Sequence, residues 1–335
     1  MMKREITIKD IAKELGIHHA TVSRALQGST KVKEETRNQI LQEAKKLGYT
    51  PNILAQSFRN GRTNIVSFIV PDLKHHFFSR LISSITELAR EKGFMIVIFQ
   101  SNDDPEVEKE IIDSLISLRI AGVAVSVGLK TKSTSHFDKL KEEGIPLVFF
   151  DRVPINTPFS TITLDNYNSI RMVVNELTKK QKKSIAYISF DGYTSIFKDR
   201  LAGYDKAISD AGLSYKRCIN AKQIFINDGY EAATLLFDYE EKPDAIICVN
   251  DEIAIGVLKF LKAKGFSIPN EVAVVGFDDN PMGLICEPEL TTLSLSIEEL
   301  AKTLLHLLLK QIEEGTNIKE DVVLPMELKM RNSLY

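Results

Sequence analysis

Residues 8–26 constrain this chain more than any other stretch. Ile8, Ile11, Ala12 and Leu15 recur at i, i+3, i+4 and i+7, one apolar face of a helix. Gly16 ends it, and Val22, Ala25 and Leu26 repeat the stripe over a second short helix. Two helices this short, joined by a Gly-containing turn, bury their faces only against each other and a third element. That is a helix-turn-helix. The second helix is expected to expose Thr21, Ser23 and Arg24, side chains suited to phosphates and base edges. Taken alone, these residues fit an ordinary αα-hairpin in a core equally well.

The following segment tips that balance. A third helix fits Glu34–Leu47, with Ile40, Leu41, Ala44 and Leu47 inward; Gly48 ends it and Pro51 prevents its resumption. The stretch from Asn52 to Asn64 allows two helical turns at most, too few for an isolated helix, so it is expected to order only on a template. Residues 1–62 hold 12 Lys+Arg against 6 Asp+Glu, and the rest 31 against 39. The net charge of −2 thus hides a basic head on an acidic body. A basic head suits a polyanion, because affinity for duplex DNA rests largely on phosphate neutralisation.

The 335 residues allow two or three domains. The first residues lack the apolar core of a secretory signal, and no apolar run reaches the roughly 18 residues of a membrane span. Cys218, Cys248 and Cys286 show no metal spacing and lie in or near apolar stretches. They are expected to be buried free thiols in a reducing cytoplasm.

The body alternates apolar runs with amphipathic stretches. The runs are 65–70, 95–99, 122–127, 147–150, 185–189, 245–249 and 272–277; helical patterns fit 78–92, 106–118, 169–180, 200–211, 229–237 and 252–264. Strands buried on both faces read as such continuous runs, so the fold class is α/β with parallel sheets flanked by helices. The number of units favours two lobes, near 63–160 and 161–292. There is no Gly-rich phosphate loop, nucleophile elbow or metal spacing, so neither enzyme, cofactor nor metal is expected. The pairs His18-His19 and His75-His76 are read as loop residues rather than ligands, since adjacent side chains do not converge on an ion.

Ligands of open parallel sheets bind beyond the carboxyl ends of the strands. Those ends carry Asp72, Asp151-Arg152, Asp191, Asn250-Asp251 and Asp278-Asp279. Each alone is an ordinary turn former; their repetition at one end of both lobes suggests a site for hydroxyl-rich ligands. Phe77, Phe78 and Phe277 lie beside them, available to a ring face or simply to the core.

Taken together, Thr7-Ile-Lys-Asp-Ile-Ala, Ala20-Thr-Val-Ser-Arg-Ala-Leu, Glu34-Glu-Thr-Arg and Leu47-Gly-Tyr-Thr-Pro-Asn strongly resemble the DNA-binding head of the lactose/galactose-repressor (LacI/GalR) family. The body is similar to that family's effector domain, and so to periplasmic sugar-binding proteins. The resemblance lies in Ile69-Val-Pro-Asp, Val148-Phe-Phe-Asp-Arg, Asp199-Arg-Leu-Ala-Gly-Tyr, Cys248-Val-Asn-Asp-Glu and Val274-Val-Gly-Phe-Asp-Asp. It implies a head at 1–50, a hinge helix at 51–62 and a two-lobed type I periplasmic-binding-like domain at 63–335. Segments 293–320 and 321–335 would return to the first and second lobes. DNA contacts are implied for Thr7, His18, His19, Ala20, Thr21, Ser23, Arg24, Asn52, Ala55 and Phe58, with Phe58 a minor-groove wedge. Effector contacts are implied for Asp72, Phe77, Phe78, Asp151, Arg152, Arg200, Asn250, Asp251 and Asp278. Arg200 and Asp278 are expected to be dispensable for folding.

The chain also departs from the family. His18 and Lys33 stand where a Ser often caps a helix, which puts the head's stability in doubt. His75-His76 replaces a frequent Asn-Pro, which puts the first lobe's side of the pocket in doubt. The expected partners are a palindromic operator in double-stranded DNA, a carbohydrate effector and a second copy of the chain, with no Leu heptad to join dimers into tetramers. A transport module would need a secretory signal and no helix-turn-helix. A doubly wound enzyme would need a nucleophile-base constellation. The regulator, expected to repress, remains the favoured reading.

Overall fold

The computed structural model describes residues 6–26, 29–49, 63–316 and 318–335. They form two compact units, Met1–Thr63 and Asn64–Tyr335. The hinge expected at 51–62 lies outside the described residues.

The first unit is three helices, α1 (Ile8–Glu14), α2 (His19–Leu26) and α3 (Glu34–Leu47). Ile11, Ala12, Val22, Ala25, Val32, Ile40 and Ala44 make its core. The helical stripes therefore meet as their spacing requires. Leu41, expected inward, is 46% exposed; it stands about 100° around the helix from Ile40 and so off the inner face that Ile40 and Ala44 share. Gly48 closes α3 in the left-handed region (φ 68), which lets its N–H reach the last carbonyls.

The second unit holds two six-stranded sheets. One runs β11-β5-β4-β3-β1-β2 and is parallel throughout; the other runs β12-β10-β9-β8-β6-β7 and is parallel except at β10–β12. The strands are β1 Ile65–Val70, β2 Met95–Gln100, β3 Gly122–Val125, β4 Leu147–Phe150, β5 Ser160–Leu164, β6 Ile185–Ser189, β7 Arg217–Asn220, β8 Ala245–Cys248, β9 Ala273–Phe277, β10 Thr291–Ser294, β11 Asp321–Leu324 and β12 Glu327–Lys329. Helices α4 (His76–Glu91), α5 (Pro105–Ser117), α6 (Asp138–Glu142), α7 (Asn166–Lys179), α8 (Ser195–Asp210), α9 (Ile226–Asp238), α10 (Asp251–Ala263) and α11 (Ile297–Glu314) cover the faces. Buried apolar residues run without interruption from Val66 and Phe68 in the first sheet to Tyr187 and Val275 in the second.

The chain crosses between sheets after Leu164, Ser294 and Leu324. These crossings fall later than the expected ones at 160, 292 and 320. β5 and β11 pair in register, Asp321 opposite Thr161, and that pairing carries both strands into the first sheet. The cysteine expectation holds only for Cys248, which is buried; Cys218 is exposed on β7, Cys286 is half-buried, and all three are free thiols.

In the first sheet β1 lies between β2 and β3, and in the second β6 lies between β7 and β8. At such reversals the loops after neighbouring strands diverge and leave a crevice. The crevices sit beyond Val70 and Val125 in one lobe and beyond Ser189 and Cys248 in the other.

Candidate functional sites

The head is ordered by its polar groups. The Asp10 carboxylate accepts the Thr7 backbone N–H at 2.8 Å and the Thr7 hydroxyl at 2.7 Å, fixing the start of α1. At the start of α2, His18 Nδ1 accepts the Ala20 N–H at 3.2 Å. The imidazole thus serves as the cap that the loss of Ser had put in doubt. Lys33 offers no side-chain cap to α3, but Glu34 and Glu35 in the first turn favour the helix dipole. His18, His19 and Arg24 are exposed, and Ala20 and Thr21 half-buried. Ser23 corrects the expectation: it is buried, because it stands one turn before Leu26 on the inward face of α2. Asn52, Ala55 and Phe58 lie outside the described residues.

In the second unit, the strand-end residues converge on a cavity between the lobes. Phe77, Phe78, Asp151 and Arg152 line it from the first lobe; Arg200, Asn250, Asp251 and Asp278 line it from the second. Asp72 does not. It belongs to a separate, wider cavity with Asn102, Lys132, Asp191 and Tyr193, because the β1–α4 loop carries it outward before His75 turns back in. Phe277 is fully buried core, with the Arg200 guanidinium 3.8 Å above its ring. Sequence reasoning passed over Glu252 and Ile224, which also line the inner cavity, and read His75 and His76 as loop residues; both line it too, and His76 is the first residue of α4.

Most of the polar groups are already engaged. Arg200 Nε donates to Asn166 Oδ1 at 2.8 Å, and its Nη1 donates to the Val249 carbonyl. Arg152 Nη1 pairs with Asp103 at 2.9 Å. Asn250 caps α10, accepting from Ile253 N–H at 2.9 Å and donating to the Ile224 carbonyl at 3.0 Å. Asp251 accepts the Thr292 hydroxyl and the Asn280 N–H, both at 2.7 Å, and packs where a Cβ on Gly276 would stand. Arg200, Asn250 and Asp251 therefore build the wall as much as they face the cavity.

Asp151 and Asp278 differ. Each follows a strand directly, in positive-φ backbone (57° and 99°), which swings its carboxyl into the cleft from opposite lobes. Among the described residues the Asp151 carboxyl accepts only the Ser126 hydroxyl, at 3.3 Å. Asp278 has no side-chain hydrogen bond among the described residues. Burial pushes Asp151 up to about 6, against Arg152 and with help from Asp278. Burial likewise raises Asp278, against Arg200 and His75.

The lobes also touch directly. His75 Nδ1 lies 3.5 Å from Glu252, and its ring is parallel to Phe225 with centroids 6.0 Å apart. Val153 accepts the Ser195 N–H at 3.3 Å. The inner cavity left by this closure is about 70 Å³.

Comparison with known proteins gives two family matches. Residues 7–52 match the bacterial regulatory proteins of the lacI family, and residues 63–332 match the periplasmic binding proteins and sugar binding domain of the LacI family. Catabolite control protein A of Priestia megaterium is 27% identical over 330 residues, covering 98% of this chain and 99% of that protein. The HTH-type transcriptional regulator DegA of Bacillus subtilis is 27% identical, covering 98% and 97%. A Lac repressor dimer bound to operator and the anti-inducer ONPF shares the fold, with TM-score 0.88 at 22% identity and 99% coverage of both chains. The transcriptional regulator CelR–cellobiose complex superposes with TM-score 0.73 at 26% identity, covering 98% and 100%. A three-helix head and a two-lobed body, each matched along nearly its whole length, make this chain a DNA-binding transcriptional regulator that belongs to the LacI family.

Proposed function

We propose that this regulator represses transcription from a palindromic operator as a homodimer, acting in the cytoplasm, and that a neutral, hydroxyl-rich molecule of the sugar class controls it from the cleft between the lobes. Its role is binding rather than catalysis. The observation that carries the effector reading is the pair Asp151 and Asp278. They are two carboxyls from opposite lobes with unfilled acceptor capacity, in a wall whose arginines are already engaged. Such a site favours donors, which hydroxyls supply, and disfavours phosphate or carboxylate. A ligand held by both lobes binds the closed arrangement better than the open one, the differential affinity that a ligand-driven shift requires. The CelR–cellobiose complex supports the sugar class. Met95 and Ile98 on the edge strand β2, and Met282, Leu284 and the 83%-exposed Ile285, offer apolar surface for a second copy.

The test is an operator titration of the full chain with and without each member of a panel of mono- and disaccharides and sugar phosphates, repeated with Asp278→Asn. One neutral sugar is expected to shift operator affinity, and Asp278→Asn to remove that shift while leaving basal operator binding unchanged. A sugar phosphate acting alone, or an intact shift in the variant, overturns the assignment.

A further inference from the structure

The inner cavity holds the free carboxylates but little room, about 70 Å³. Directly outside it lies the wider cavity of about 550 Å³. The two adjoin, for His75 and Ile224 stand in the walls of both. The outer one is walled by loops from both lobes: Lys130 and Lys132 after β3, Phe190 and Tyr193 after β6, and Phe225 before α9.

Its composition differs from that of the inner cavity. Tyr193 and Phe225 are 49% and 41% exposed, large rings left at the lip of a cleft rather than in the core. Rings so placed present flat apolar faces to whatever enters. The charges balance: Lys130, Lys132 and Lys222 stand against Asp72, Asp103 and Asp191. Asp103 is held by Arg152, and Lys222 by Glu231 at 2.8 Å. The remaining charges are two cations and two anions, and Asn102 and Gln223 complete the polar lining, so the chamber favours a neutral polar guest over an anion. Its aromatic residues also carry lobe-to-lobe contacts. Lys132 Nζ of the first lobe stands 5.0 Å from the Tyr193 ring centroid of the second, and His75 faces Phe225.

We propose that this outer chamber is a second subsite, and that the effector is a neutral two-ring glycoside, a disaccharide. One ring would meet Asp151 and Asp278 and the other would pack against Tyr193 and Phe225. The inference rests on the sugar reading above and deepens it. A single ring leaves the larger chamber filled with water and the aromatic lip without a guest. A second ring fills a space within the range usual for ligand sites and touches the residues through which the lobes meet.

The experiment is titration calorimetry on the full chain. The probes are cellobiose, maltose, lactose, sucrose, trehalose and melibiose, their constituent monosaccharides, and trehalose 6-phosphate. One disaccharide is expected to bind at least tenfold more tightly than either of its constituents and than the phosphate. Tyr193→Ala and Phe225→Ala, each separately, are expected to weaken the disaccharide tenfold while changing the monosaccharide less than twofold. A monosaccharide that binds as well as the best disaccharide, or lip variants that weaken both equally, overturns the outer subsite and leaves the sugar reading standing. Binding of no sugar in the panel overturns both.

Discussion

Asp151 shows how one carboxyl at a strand end sets a solution property of the whole site. Burial raises it to about 6, so the site holds a proton there below that pH. For the fold, a raised carboxyl contributes its stability at low pH and loses it as pH rises through about 6. For a hydroxyl donor the sign reverses, because only the ionised carboxylate accepts well. Effector affinity is therefore expected to be flat above pH 6 and to fall by about tenfold per unit below it, with proton uptake when ligand leaves. Calorimetry with the tightest-binding sugar at pH 5 and 7.5 checks this; equal affinities would sink it, and Asp151→Asn should make the slope shallower, Asp278 also being raised by burial. Arg24 offers a second residue-scale test. It is the exposed cation of α2, and a bidentate pair with guanine is worth about 1–3 kcal/mol. Arg24→Ala should relax preference at one base pair per half-site in a selection experiment; a uniform loss on every sequence would make it a phosphate contact. Sequence reading found the wall residues because polar groups after buried strands stand out. Their hydrogen-bond partners were not legible. Arg200 was expected to be dispensable for folding, yet it is buried and holds Asn166 and the Val249 carbonyl. Its loss leaves buried acceptors unsatisfied and costs about 1–3 kcal/mol each, so Asp278 is the cleaner site to vary.

At the scale of elements, legibility followed burial. Strands β1, β3, β4, β6, β8 and β9 read as continuous apolar runs because parallel strands are covered on both faces. β5, β7 and β10 read Ser-Thr-Ile-Thr-Leu, Arg-Cys-Ile-Asn and Thr-Thr-Leu-Ser. Their length and hydroxyl content hide them, although Thr291 and Thr292 are fully buried and hydrogen-bonded. Helix α11 was legible and missed. Ser296 accepts the Glu299 N–H at 3.2 Å, a Ser-x-x-Glu start before a Leu stripe. Several helices begin up to a turn or more earlier than their apolar pattern, since caps such as Asp165 and Asn250 precede the first apolar residue. Glycines inside helices look like defects in sequence, and here they set a crossing. A Cβ on Gly256 of α10 would lie 2.0 Å from the Ile226 carbonyl of α9, and one on Gly229 would lie 2.2 Å from the Ile253 carbonyl. Backbone rather than flexible side chain is the obstacle, so the helices must separate to admit a methyl. Gly256→Ala is expected to destabilise the body by about 1–3 kcal/mol despite the better helix propensity of Ala, read as a lower thermal midpoint. A raised midpoint would mean the crossing has slack.

For the whole molecule the telling quantity is the division of charge. The first 62 residues carry 12 basic against 6 acidic side chains, while the remainder carries 31 against 39. The boundary between compact units falls at Thr63, beside that change of sign. A single domain gains nothing from such segregation, since net repulsion within each part opposes compaction. A head that must meet phosphates and a body that must avoid them do gain. The −8 body would repel DNA at low salt, and so suppress non-specific adhesion of the larger unit. The apolar surfaces proposed for self-association lie wholly in that body, at Met95, Ile98, Leu284 and Ile285. A fragment of residues 64–335 is therefore expected to lose all operator binding, specific and non-specific, yet to keep both its self-association and its affinity for the effector. Three measurements separate the possibilities. Gel shift at 50 mM salt reports residual DNA binding, sedimentation reports the dimer, and calorimetry reports the ligand. The full chain should show operator affinity that falls linearly with the logarithm of salt concentration, with a slope set by phosphates neutralised by the head. A fragment that still shifts DNA would place phosphate contacts on the acidic body and refute the division. A fragment that sediments as a monomer would instead assign the dimer contacts to residues before 64.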